Sequence, residues 1–294
     1  VSRIRLLSGP WEAEVLPEDG ARVSLLRFDE VGLLTEAPST FRPPSADYGL
    51  YETRPVYGYD DCLPTVDACP FPDTQWQTPD HGELCWLVWD CETTPDSVTC
   101  RVRSRALPLS FERTMVFSPS GLEWRFSLRN KGGRPIPFQH VMHALMPVRS
   151  IRALHLPPFN GLIAEMGGPE APRSPGELAH WLLARPERTA AMLYLQKTGS
   201  GEFSLEFAEG VRLTARYPAG TFPTLGIWWN RGGYPREDGI ARFECALEPV
   251  AGSIGRLDTA YREGTCQSAP PGATLSWSVV WEVEKTRRFS ARGG

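Results

Sequence analysis

No apolar run in this sequence approaches the roughly 18 residues that a helix needs to cross a bilayer. There is no excess of positive charge either. The formal net charge is −4, from 31 Lys and Arg against 35 Asp and Glu, and the basic residues form no run. That argues against the basic stripe of a nucleic-acid binder. The seven cysteines, Cys62, Cys69, Cys85, Cys91, Cys100, Cys245 and Cys266, include no CxxC pair, and the histidines do not sit at finger spacing. An odd count in a chain of 294 residues predicts reduced, mostly buried thiols rather than a disulfide scaffold. The first ten residues show no charged-then-apolar leader, so the expected location is cytoplasmic. No internal repeat, low-complexity tract or shift of composition divides the chain, which predicts a single domain over 1–294.

What is present is alternation. Leu122, Trp124, Phe126 and Leu128 point one way and Glu123, Arg125, Ser127 and Arg129 the other, before an Asn130-Lys131-Gly132-Gly133 turn. Phe203, Leu205 and Phe207 repeat the pattern, as do Val211, Leu213, Ala215 and Tyr217. The longest run places Leu275, Trp277, Val279, Trp281 and Val283 on one face. A period of two over such lengths predicts an all-β fold, a large antiparallel β-sandwich of half-buried strands. One or two short helices are expected. The first starts at Ser174, where Pro175 and Glu177 complete a capping box ahead of Leu178, Trp181 and Leu182, and Pro186 ends it. The second covers 257–263 and stops at Gly264. Residues 66–79 and 157–175 read as long irregular loops, which in a β domain are often functional.

Four segments carry the candidate chemistry. They are Gly58-Tyr59-Asp60-Asp61-Cys62-Leu63-Pro64-Thr65, Pro79-Asp80-His81-Gly82-Glu83-Leu84-Cys85-Trp86, Pro137-Phe138-Gln139-His140-Val141-Met142-His143-Ala144-Leu145, and a last one from Gly226-Ile227-Trp228-Trp229-Asn230 to Ala246-Leu247-Glu248-Pro249. Each of His81, His143 and Glu248, taken alone, fits an ordinary turn, core or strand-end residue. Together they offer a carboxylate and imidazoles for general acid–base catalysis. Histidine titrates near neutral pH, and a glutamate between Leu247 and Pro249 can be raised toward the same range by desolvation. The 10 Trp and 8 Tyr supply rings able to stack on a pyranose.

In this order the segments resemble the aldose 1-epimerase (galactose mutarotase) superfamily over nearly the whole chain. The resemblance implies a super-sandwich fold. It implies catalytic roles for His81, His143 and Glu248, with Asp60 and Asp61 near the sugar and Trp86, Trp228 and Asn230 as pocket walls. It implies no metal and no redox cofactor. The partner would be a small hexose-like sugar, with no nucleic acid or membrane, and it fixes no oligomeric state. The implied reaction interconverts the α and β anomers of a free aldose, Glu248 taking the anomeric proton, His143 protonating the ring oxygen and His81 stabilising it. Many members carry an arginine shortly after His-Gly. Here Glu83, Leu84, Cys85 and Trp86 follow, a divergent His-Gly-Glu variant, and the early Asn-Arg strand motif common in the family is not visible in the first 50 residues, with Arg54 as a candidate substitute for it. No dense basic cluster favours a sugar phosphate, although Arg54, Arg231 and Arg236 keep one open. Other readings are a non-catalytic carbohydrate-binding or sensor module on the same fold, a lyase, and a retaining glycosidase. The last would pair Asp60 or Asp61 with Glu248 at about 5 Å.

Overall fold

The alternating segments form antiparallel sheets. The structure, a computed structural model, describes residues 2–38, 51, 56–236 and 241–286. An eight-stranded sheet is centred on the hairpin Leu109–Ser118 and Gly121–Asn130, with the strand Thr274–Lys285 beside it. A six-stranded sheet holds the N-terminal strands, Tyr59–Cys62 and Val141–Ala144. A five-stranded sheet runs Met146–Pro147, Phe243–Val250, Thr224–Arg231, Ala190–Gln196, Gly161–Met166. A two-stranded ribbon completes the set.

The predicted inward residues are inward. Leu122, Trp124, Phe126 and Leu128 are all at most 2% exposed. One contiguous core takes side chains from all three large sheets, including Val23, Trp124 and Ile227. Tyr59 and Trp281 pack on Trp124 from either side, with ring centroids 4.5 and 5.2 Å away. Burying a side chain the size of Phe126 is worth roughly 1.5–3 kcal/mol, so this core sets the frame on which the site is built.

Both expected helices are present. Pro175–Leu183 is capped by Ser174, whose Oγ accepts from the Glu177 amide. Leu257–Arg262 is followed by Gly264 at φ +68°. Residues 66–79 form no strand beyond an isolated Pro70–Gln77 bridge. The reading of 157–175 as wholly irregular is corrected, because Gly161–Met166 is a strand paired with Ala190–Gln196. It lies at the edge of its sheet with one ladder partner, so its side chains lack the clean alternation that marks a strand with one buried face. All seven cysteines are free thiols, five of them buried. Among the described residues no helix is long and apolar enough to cross a membrane.

The chain leaves the six-stranded sheet and enters the five-stranded one within a few residues. Val141–Ala144 pairs with Tyr59–Cys62, and Met146–Pro147 pairs with Cys245 and Glu244. Leu145 alone separates the two ladders. The strands Val141–Ala144 and Phe243–Val250 therefore pack side by side at a seam between sheets.

Candidate active site

The seam opens into a cavity of about 200 Å³ lined by His81, His143 and Glu248. Strand periodicity supplies its floor. On the five-stranded sheet, Cys245, Leu247, Ile227, Trp229, Leu193 and Leu195 face the core. Their neighbours Glu244, Glu248, Trp228, Met192 and Tyr194 face the cavity. Directly paired residues share a face, and Gly226 stands in register between Tyr194 and Glu248. A Cβ there would meet Met192 Cε and the Glu248 carbonyl at 3.4 Å, so the missing side chain keeps the floor open. The Met146–Cys245 rung brings the strand that carries His143 beside the strand that carries Glu248, and both side chains line the cavity. The two ladders diverge there, and the resulting gap is the cavity.

The six-stranded sheet supplies the other wall. Asp60 and Asp61 are consecutive on one strand, so their side chains take opposite faces. Asp60 faces the site. Its Oδ1 lies 3.0 Å from His143 Nδ1, its Oδ2 accepts from Tyr51 Oη at 2.6 Å, and Arg22 Nη2 lies 3.4 Å from Oδ2. Asp61 faces the core, where it accepts from Arg113, from Tyr59 Oη and, at 2.9 Å, is joined by His140 Nε2. Both arginines and both aspartates are fully buried, so each charge depends on the opposite charge beside it.

His81 arrives on a loop. It sits at φ +60° and Gly82 follows at φ +71°. A Cβ on Gly82 would lie 2.3 Å from the Leu63 carbonyl oxygen, so glycine is required there. A left-handed non-glycine residue costs about 1–3 kcal/mol and persists where its surroundings hold it. Here Tyr51 stacks on the imidazole at 3.7 Å and Asp80 meets its Nδ1 at 3.1 Å. The rings of His81 and His143 stand 4.8 Å apart.

The site sets its protonation states apart. Burial pushes the Glu248 carboxyl up to about 8; the positive charge of His81 opposes this, while Asp67 and Asp60 add to it. Glu248 is 3% exposed and its Oε1 has no hydrogen-bond partner. Burial also lowers His143, with His81 adding to the effect against the hydrogen bond to Asp60. His81 goes the other way: burial disfavours its charge, but Asp80, Asp60 and Glu248 outweigh that and raise it.

Of the residues expected from sequence, His81, His143, Glu248 and Trp228 lie on the cavity wall. Asp60 stands behind His143 and orients it. Asp61 is corrected, because strand alternation commits its carboxylate to Arg113 in the core and not to the cavity. Trp86 is corrected too. It is not among the residues that line the cavity, and Glu83 before its turn is held at residues 104–106, accepting from the Arg105 and Ala106 amides at 2.8 and 3.1 Å and from Ser104 Oγ. Glu83 of the His-Gly-Glu variant is thus a structural clamp. Asn230 supports the wall without forming it, donating to Glu244 Oε1 at 2.9 Å and accepting from the Gly233 and Tyr234 amides. Arg54 lies outside the described residues. Arg231 donates to the Leu183 carbonyl, and neither it nor the exposed Arg236 lines the cavity.

Sequence reasoning misses Tyr51, Asp67, Glu165, Tyr194, Arg242 and Glu244, all on the wall. Extending the alternation back from Glu248 finds Glu244. Tyr51 and Glu165 carry no local signal, since they reach the cavity only through tertiary packing. The buried arginine under the site is Arg22, between Ala21 and Val23, where a charge inside an apolar strand marks an internal partner.

No protein-family model matches the chain, and no curated protein matches it. Solved structures do. The Slr1438 protein of Synechocystis sp. PCC 6803 aligns with a TM-score of 0.74 at 15% identity, covering 97% of this chain and 96% of that one. A galactose mutarotase-like protein from Lactobacillus casei ATCC 334 aligns at 0.69 and 17% identity, covering 96% and 100%. The GalM/aldose epimerase homologue from C. elegans aligns at 0.67 and 16% identity, covering 97% and 99%. Likeness of this extent over nearly full length shows that the chain has the galactose mutarotase-like fold.

Proposed function

We propose that the protein interconverts the α and β anomers of a free, unphosphorylated aldose by general acid–base ring opening. The observation that carries this is a pair that lines one cavity, a carboxyl raised to about 8 at Glu248 and an imidazole lowered at His143. A cavity of about 200 Å³ suits a monosaccharide, being smaller than pockets for drug-sized ligands. Glu248 takes the proton of the anomeric hydroxyl and His143 gives one to the ring oxygen. The C1–ring-oxygen bond breaks, the aldehyde turns about C1–C2, and the hydroxyl adds to its other face with the proton roles reversed. His81, raised and so more readily charged, stabilises negative charge growing on the ring oxygen.

The pair needs one proton between its two members. Placing it on Glu248 or on His143 gives the same net state, so the rate follows the population of that state. The wall favours an uncharged sugar. Asp67, Glu165 and Glu244 line it, and its Arg242 lies 3.5 Å from Glu244. The test is NMR exchange between anomers of glucose and galactose. Wild type should accelerate exchange, and His143→Asn should lose about 10²-fold or more of that. Saturable sugar binding without faster exchange would sink the proposal in favour of a binding module.

A further inference from the structure

Cys62 takes no part in that chemistry, yet its sulfur lies beside both site histidines. It lies two residues beyond Asp60 on the same strand and so shares its face, opposite Val141 on the strand that carries His143. It is fully buried. Its sulfur and one ring nitrogen each of His81 and His143 all lie within 4.8 Å of one another. Both imidazoles meet a carboxylate at Nδ1, His81 through Asp80 at 3.1 Å and His143 through Asp60 at 3.0 Å. A carboxylate at Nδ1 fixes the tautomer that leaves a lone pair on Nε2, the arrangement that orients histidine ligands in metal sites.

We propose that Cys62, His81 and His143 bind a thiophilic divalent ion of the zinc class, and that this occupancy and sugar turnover exclude one another. One sulfur and two imidazole nitrogens are a zinc ligand set, with a fourth position left toward the cavity. Bonds of about 2.3 Å to sulfur and 2.0–2.1 Å to nitrogen need ligand atoms about 3.3–3.7 Å apart. Side-chain adjustments of about an ångström reach that from the present spacing. Asp60 and Glu248 beside Cys62 supply negative potential for the incoming cation. On binding, the Cys62 thiol gives its proton to solvent, and no oxidation or reduction occurs. Exclusion follows because the ion takes the lone pairs of both imidazoles. Only this second half rests on the acid–base reading of the site.

The test uses full-length protein stripped with a chelator and titrated with Co²⁺, then with Zn²⁺ against a chromogenic chelator. Wild type should bind one equivalent and show a near-ultraviolet thiolate-to-cobalt charge-transfer band. Cys62→Ala should lose that band and bind Zn²⁺ at least 100-fold more weakly, while Cys245→Ala, which removes an equally buried thiol elsewhere, should change neither. Stoichiometric Zn²⁺ should slow anomer exchange at least tenfold in wild type and leave Cys62→Ala at its own metal-free rate. No charge-transfer band in wild type, or unchanged affinity in Cys62→Ala, overturns the site. Full exchange with the ion bound overturns the exclusion alone. If no form accelerates exchange, the acid–base reading fails and takes the exclusion with it, while the cobalt spectrum still decides the site.

Discussion

Replacing Glu248 with glutamine should make the protein more stable and less active, and the stability gain should depend on pH. The carboxyl is buried with one oxygen unpartnered, and its pKa rises from 4.5 to about 8. The unfolded chain therefore releases this proton at lower pH than the folded one. The stabilising effect of the bound proton is fully present below about 4.5, and it is lost as pH rises through about 8. Every tenfold difference in proton affinity between the folded and unfolded chain is worth about 1.4 kcal/mol, so the cost to wild type reaches about 3 kcal/mol at pH 7 and about 5 kcal/mol above pH 8. Glutamine has the same shape and stays neutral throughout. Urea unfolding of wild type and Glu248→Gln should thus give equal stabilities near pH 4. The variant should pull ahead by a few kcal/mol at pH 7 and further at pH 9. Anomer exchange should fall by about 10²–10⁴-fold in the same variant. A stability difference that does not change with pH, or a wild type more stable at pH 9, would refute the reasoning.

The consecutive aspartates should separate cleanly. Asp61→Asn leaves Arg113 buried without its counter-charge and should cost about 3–5 kcal/mol in denaturant unfolding, with kcat for anomer exchange nearly unchanged. Asp60→Asn removes the carboxylate that fixes the tautomer of His143 and should lower kcat about 10²-fold besides destabilising Arg22. Gly82→Ala forces a Cβ against the Leu63 carbonyl at positive φ, and should lower the urea midpoint by the equivalent of about 1–3 kcal/mol while weakening sugar affinity through His81.

Much of this architecture is legible in the sequence because a period of two is a property of consecutive residues. The strands around Trp124 and Trp281 show it over ten and twelve residues, and both stand where the pattern puts them. The strand Gly161–Met166 escapes for the same reason, since an edge strand with one ladder partner does not need the pattern. Motif order joins the candidate trio, and the cavity does bring His81, His143 and Glu248 together. Asp61 is misplaced even though alternation alone separates it from Asp60. Glu83 and Trp86 illustrate the other limit. Glu83 is held by the amides of residues 105 and 106, which no local pattern connects to it.

The seam has a consequence for how such a site changes over generations. His143 is three residues from Met146, and Glu248 is three residues from Cys245, the ladder partner of Met146. The chain itself meters the acid–base pair, by equal counts along two strands from one shared rung. Side chains elsewhere on the wall, such as Met192 and Trp228, can change without moving either group. An insertion or deletion at residues 144–145 or 246–247 is another matter, since a one-residue slip turns His143 or Glu248 onto the opposite face.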